Sequence, residues 1–542
     1  MFTANILDLF GETIFYGAIT IDQQRITHIE RLGDERPGEP YILPGFVDAH
    51  VHVESSLLTP AQFARLAVVH GTVATVSDPH EIGNVVGIEG VRYMIMDGKR
   101  VPFKFNFGAP SCVPATTFET AGATISVDDV RELLAMPEIG YLAEMMNFPG
   151  VLHQEPDVMA KIALAKAVDK PVDGHAPGLR GEAAQQYIDA GITTDHECFT
   201  YDEGRDKAER GMLILIREGS AARNFGALIP LLPEFPNQIM FCSDDKHPDT
   251  LAAGHINQLV ARAIGEGYDR WEVLRAACVN PVRHYHMPVG QLRIGDPADF
   301  IQVSDLTTFS VEQTVINGEV VARGGQSLIP DLRSEHLNQF SCSRIDAGQL
   351  AVAATGETIR VIEAMDGQLI TNELHLPALV ADGQVVSDVQ NDVLKLVVVN
   401  RYQDAPPAVA FIRNVGLIKG ALASSVGHDS HNITAVGCDD ESIARAINLI
   451  IDAKGGLSAV GGQEEYVLPL PVAGLMTDTD GYVVAGQYTQ LDQFAKQTLG
   501  STLAAPFMTL SFMALLVIPS LKLSDKGLFD GAKFQFSPLI LS

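Results

Sequence analysis

Pro44-Gly45-Phe46-Val47-Asp48-Ala49-His50-Val51-His52-Val53-Glu54 is the stretch on which the reading of this chain turns. Apolar residues lead up to an acid, and two histidines follow it two positions apart. In a β-strand, residues two apart point to the same face. His50 and His52 therefore project side by side, as two imidazoles must to hold one divalent cation. Pro44 excludes a helix before the strand, and Gly45 permits a sharp bend where the strand begins. A His-x-His pair alone is a weak signal, so the rest of the chain has to supply further ligands of the same kind.

Working outward, residues 1–43 hold short alternating runs separated by turn formers, which predict a few short strands. Such strands cannot bury a face alone. Their expected partner lies at 288–337, where Asn317-Gly318 stands between two apolar runs, a strong hairpin signal. Across 44–287, strand-like runs fall at 72–77, 104–108, 141–146, 171–173, 192–194, 212–216 and 239–242. Helical periodicity fills several spacers, for example 159–168 and 182–190. With the opening strand that makes eight units, over roughly the 250 residues typical of a (β/α)₈ barrel. The competing architecture is an open doubly wound sheet, but no G-x-G-x-x-G follows any strand. Beyond about Asn338 the pattern changes, with a strand at 393–399, a helix at 441–453 and Gly-rich turns at 454–456 and 460–462. The expected fold is α/β. A TIM-like (β/α)₈ barrel spans 44–287, a small β-sandwich is built from both flanks (1–43 and 288–337), and an α+β domain spans 338–542.

Composition sets bounds on partners. A chain of 542 residues suits two or three domains. With 46% hydrophobic and 19% charged residues it is globular. A formal net charge of -29 argues against nucleic acid as a partner and leaves a neutral small molecule open. Cys112, Cys198, Cys242, Cys278, Cys342 and Cys438 form no C-x-x-C pair and read as buried thiols in a reducing cytoplasm. No basic region followed by a long apolar core opens the chain, so export is not expected. The most apolar stretch, 503–521, contains Pro506 and Pro519 and reads as a core segment rather than a membrane span.

In such a barrel the C-terminal ends of the strands converge on one face. Strand one brings His50 and His52 there, strand four Glu144, strand five His175, strand six His196 and Glu197, and strand eight Asp244. Singly, each has an ordinary structural explanation, such as a helix cap for Asp244 or half of an ion pair for Glu144. Five strand ends showing ligand types in barrel order point to a metal centre.

The string Pro-Gly-x-x-Asp-x-His-x-His resembles the first barrel strand of the amidohydrolase superfamily. The continuation Val53-Glu54-Ser55-Ser56-Leu57-Leu58-Thr59-Pro60 is similar to the adenine deaminases. So are Ser77-Asp78-Pro79-His80-Glu81-Ile82, Ala143-Glu144-Met145-Met146-Asn147-Phe148-Pro149-Gly150-Val151 and Ser424-Ser425-Val426-Gly427-His428-Asp429-Ser430-His431. The resemblance implies two divalent transition metals, Mn or Fe ahead of Zn. His50 and His52 would serve the first, His175 and His196 the second. Glu144 would bridge them in place of the carboxylated lysine of many superfamily members, since Lys161 falls outside strand four. It further implies hydrolysis of adenine to hypoxanthine and ammonia in purine salvage, with Asp244 as base and Glu197 as shuttle to the ring. The expected partners are this small molecule and further copies of the chain, with neither nucleic acid nor membrane. Three roles stay open. His80 is an extra ligand, a neighbouring donor or a plain loop histidine. His428 and His431 reach the site or order their own loop. Arg217 meets substrate or forms a structural ion pair. Two other functions compete: a hydrolase of a cyclic amide or related 6-aminopurine, and a non-catalytic assembly protein. A lysine on strand four would favour the first, and loss of a ligand the second.

Overall fold

The computed structural model describes residues 1–220 and 222–541. Its centre is a barrel of eight parallel strands: Phe46–Val51, Thr72–Ser77, Lys104–Ala109, Ile139–Met145, Val172–Gly174, Thr194–Asp195, Leu213–Arg217 and Ile239–Cys242. Strands one to five share one ladder and six to eight another. Backbone bonds close the two seams. The Thr193 N–H donates to the Val172 carbonyl at 2.9 Å, and the Asp244 N–H donates to the His50 carbonyl at 2.9 Å. The first two strands are buried at every residue, as expected where helices cover one side of a parallel sheet and side chains fill the other. Gly45 serves a purpose other than bending. A Cβ at this position would lie 2.3 Å from a methyl of Val73, so glycine permits the close approach of the second strand.

Both flanks of the barrel enter one eight-stranded sheet. Its order runs Gln326–Ser327, Glu319–Arg323, Val311–Ile316, Phe300–Val303, Tyr41–Pro44, Phe2–Asp8, Thr13–Asp22, Arg25–Asp34. The join pairs Pro44 with Phe300 and Tyr41 with Val303, antiparallel. The sheet bends until Ile26, in its last strand, bonds to the Asp296 carbonyl at 3.0 Å, enclosing Ile6, Ile19, Ile42, Phe300 and Val315. The hairpin turns at Asn317 (φ 50°) and Gly318 (φ 81°), the left-handed pair that an Asn-Gly sequence favours.

The C-terminal region adds a mixed sheet containing Thr358–Ala364, Val393–Val399, Ala408–Arg413, Ala421–Ser424, Ile433–Gly437 and Gly456–Gly461. The helix Asp440–Ala453 lays Ile443, Ile447 and Ile450 on it. Asp439 caps that helix through the Ser442 N–H at 2.7 Å, and Lys454 ends it in the left-handed conformation. This region sits against the barrel. The Thr477 N–H donates to the Leu57 carbonyl at 2.9 Å, and Thr120 binds Asp525 through its N–H (2.9 Å) and hydroxyl (2.6 Å). Among the described residues, no helix is long and apolar enough to cross a membrane. The apolar stretch 503–521 instead holds a buried helix, Pro506–Phe512.

Candidate metal centre

The geometry begins with the alternation of strand one. His50 ends on the inner face and His52 follows on the same side, with their Nε2 atoms 3.3 Å apart. His52 Nδ1 lies 3.2 Å from the Asp78 carbonyl, which can only accept. Nδ1 therefore carries a proton, and Nε2 faces inward. Asp48, the acid of the same strand, accepts from the Ser243 N–H at 2.9 Å and from His255 Nε2 at 2.8 Å. It thereby ties strand one to the end of strand eight, where Asp244 sits at φ 55°.

Glu144 occupies the middle. Its Oε2 is 2.8 Å from His175 Nδ1 and 3.1 Å from His196 Nε2. Its Oε1 is 3.5 Å from His52 Nε2 and 3.6 Å from His80 Nδ1. Asp244 Oδ1 is 3.3 Å from His52 Nε2 and 3.6 Å from His50 Nε2. The structure thus brings His50, His52, Glu144, His175, His196 and Asp244 together, each at a strand end.

Protonation follows from the surroundings. Burial, reinforced by His196 and His52, holds the His50 imidazole well below its ordinary range, so it offers a lone pair. Burial alone would raise the carboxyls of Glu144 and Asp244. His175 and His196 outweigh it at Glu144, and Arg217 and His52 at Asp244, so both stay ionised. Burial would depress His196, but Glu144 and Asp244 push it up to about 9. Burial would depress His52 as well, but Asp244 and Glu144 push it well above its ordinary range; two imidazole nitrogens 3.3 Å apart, ringed by ionised carboxylates, thus favour positive charge between them. This is the donor set of a divalent metal centre.

The open roles resolve in different ways. Arg217 is buried and pairs with Glu197 through both terminal nitrogens, Nη2 to Oε2 at 3.0 Å, while Nη1 donates to Asp244 Oδ2 at 2.6 Å. Its neighbour Glu218 pairs instead with Arg262 at 3.6 Å. His80 faces the centre with Nδ1. His428 lines the cavity above the centre. His431 lies beneath the cavity wall, with Nε2 2.6 Å from Glu81 and Nδ1 accepting the Gly427 N–H at 3.2 Å. Lys161 is bound elsewhere, its Nζ donating to the carbonyls of Ser111 (2.7 Å) and Ile125 (3.0 Å).

A narrow cavity of about 40 Å³ lies directly over these residues. The C-terminal region supplies part of its wall through Leu369, His428, Asp429, Leu515, Val517 and Ile518. Of these, only His428 carried a chemical signal in the sequence. The apolar four look like any core residues, and Asp429 is one acid among many. A larger cleft, lined by Lys166, Lys170, Arg283 and His284, opens on the opposite end of the barrel and gathers none of the six residues.

Comparison with known proteins agrees over nearly the whole chain. Residues 41–321 match the amidohydrolase family, and residues 368–535 match the adenine deaminase C-terminal domain. The chain is 56% identical over 533 residues to an adenine deaminase of Sulfurovum sp. (strain NBC37-1), covering 98% of both. It is 55% identical to an adenine deaminase of Salinibacter ruber, covering 98% of this chain and 97% of that one. It is 50% identical to an adenine deaminase of Methanosarcina mazei, covering 98% of both. Barrel, strand-end side chains and sequence likeness agree: the chain belongs to the amidohydrolase family, in the branch that carries the adenine deaminase C-terminal domain.

Proposed function

We propose that this protein hydrolyses adenine to hypoxanthine and ammonia, with two divalent first-row metals held by His50, His52, Glu144, His175, His196 and Asp244. The observation that carries this reading is the likeness to proteins named adenine deaminase, which spans both barrel and C-terminal region. The placement of Glu144 supports two cations rather than one, because its two oxygens face different histidines. Mn, Fe and Zn all suit imidazole and carboxylate donors, and we place Mn and Fe ahead of Zn. When bound, such cations would lower the pKa of a coordinated water and so supply a nucleophile near neutral pH.

The side chains handle the protons. Asp244 is ionised beside Arg217, with Oδ1 facing the centre, and there it takes the proton of the attacking water. Attack at C6 breaks the aromaticity of the ring, so the ring nitrogen must gain a proton as the bond forms. Glu197 Oε1, 3.5 Å from His196 Nε2 and held by Arg217, is the carrier we assign: it gives its proton to the ring and regains one from the new C6 hydroxyl, while Asp244 passes the water's proton to the amine, which leaves as ammonia as the C6–N bond breaks. Arg217 spans both carboxylates and fixes their separation. The setting we propose is purine salvage in a reducing cytoplasm, in keeping with all six cysteines being unpaired.

Ultraviolet absorbance follows the conversion directly in protein reconstituted with Mn, Fe or Zn. Asp244→Asn should lower turnover by about 10²–10⁴, the range for a lost general base. Metal-replete protein that leaves adenine unchanged would overturn the substrate assignment.

A further inference from the structure

Asp429 lines the same cavity from the C-terminal side, in the loop between Ala421–Ser424 and Ile433–Gly437. It is buried, and among the described residues its Oδ2 has no hydrogen-bond partner. The nearest basic atom to Oδ1, His80 Nε2, is 3.8 Å away, beyond hydrogen-bond range. The fold nevertheless fixes the backbone that carries this carboxylate. Asp429 sits at φ 71°, a strained conformation for a residue with a side chain. Its N–H donates to Glu81 Oε2 at 3.1 Å, and the Glu81 carboxylate lies within ion-pair distance of His431 Nε2 (2.6 Å) and His428 Nδ1 (3.1 Å). A buried acceptor kept in place without a donor is costly unless a ligand supplies one.

Position identifies the donor. His80 stands between Asp429 and the metal centre, with Nδ1 3.6 Å from Glu144 Oε1 and Nε2 3.8 Å from Asp429 Oδ1. Asp429 therefore lies about one five-membered ring beyond the centre. A 6-aminopurine under attack at C6 must turn C6 and its amine toward Glu144. Its five-membered ring then points away, and in a free base that ring carries one N–H. Leu369, Leu515 and Ile518 line the cavity and offer apolar surface to the flat faces of such a base. We infer that Asp429 accepts the imidazole-ring N–H of a free purine base, so that the C-terminal region selects the free base over its 9-substituted forms. This inference rests on the reading of the protein as an adenine hydrolase. A nucleoside lacks that N–H and would leave the carboxylate unpaired, the strongest kind of rejection a polar site can make.

The test compares adenine with oxazolo[5,4-d]pyrimidin-7-amine, the isostere in which a ring oxygen replaces N9–H. Deamination of both is measured in metal-replete wild type, Asp429→Ala and Asp429→Asn. Wild type should favour adenine in kcat/KM, and Asp429→Ala should lose about 10- to 100-fold on adenine while changing little on the isostere. Comparing ratios across variants cancels the intrinsic reactivity of each compound. Asn tolerates the left-handed backbone and keeps a neutral acceptor, so Asp429→Asn should fall between the two. If the alanine variant does not fold, a smaller adenine preference in the asparagine variant still carries the result. An unchanged preference in the folded variants overturns the inference while adenine turnover by wild type upholds the proposed function. Loss of one metal equivalent in Asp429→Asn overturns it too, because Asp429 would then hold a cation with His80 and Glu81. Wild type inert toward adenine removes both.

Discussion

Glu144 acts at the centre through having two oxygens on one short, buried side chain. One faces His175 and His196, the other His52 and His80, so a single formal charge is shared between two groups of donors. Glu144→Gln keeps the shape and removes the charge. Two neighbouring cations would then repel with less compensation, and metal content should fall from about two to about one per chain. Elemental analysis of the folded variant measures this, and two retained metals with normal turnover would show that Glu144 is not shared. At this scale the sequence was informative wherever chemistry and position coincide. The convergence of His50, His52, His175, His196 and Asp244 was legible because a barrel gathers its strand ends. Arg217 was legible as a charge but not as the link between Glu197 and Asp244, since that depends on how strands six, seven and eight lie side by side. The place of Asp429 in the cavity wall was not legible at all. Its place in the cavity is set by contacts between segments hundreds of positions apart, such as its N–H to Glu81.

Among the elements, the barrel strands were the most readable. Runs of β-branched and aromatic residues buried on both sides mark them, and the runs at 72–77 and 239–242 coincide with Thr72–Ser77 and Ile239–Cys242. The sixth strand shifted from 192–194 to Thr194–Asp195, because so short a strand takes its limits from its neighbours' hydrogen bonds. The physical reason for Gly45 lay outside the sequence: its partner is Val73, brought in by strand pairing. Gly45→Ala forces a methyl into that contact and should cost about 1–3 kcal/mol by overpacking. Combined with Val73→Ala, the cost should be clearly less than the sum of the two single changes, since the two sites share one contact. Urea midpoints of the four proteins decide it, and strictly additive values would place the strain elsewhere.

For the whole molecule, the C-terminal region is seated on the barrel and forms part of the cavity wall. His247 belongs to that seam, its ring 4.6 Å from Tyr488 on the helix Gly481–Gln493. Burial, with a smaller push from His428, holds His247 down to about 3. A histidine depressed in the folded state favours folding above its unfolded pKa, near 6.5. As pH falls below that value the unfolded chain gains a proton that the folded chain refuses, so stability drops by up to about 1.4 kcal/mol per pH unit. His247→Phe keeps an aromatic ring against Tyr488 and removes the titration. Urea unfolding at pH 6.5 and pH 4.5 should show a smaller acid loss in the variant than in wild type, and equal losses would acquit His247. The shared eight-stranded sheet bears on how the chain is made. Pro44 pairs with Phe300, so the edge formed by Tyr41–Pro44 leaves the ribosome long before its second neighbour exists. At usual synthesis speeds the wait is roughly 10–50 s. During it, the apolar edge at Ile42 and Leu43 is open to any other nascent strand, and the barrel elongates behind a terminus that cannot yet close. The sheet therefore closes only once the second half of the chain has arrived, and the first forty residues reach their final pairing after the barrel that follows them in the chain.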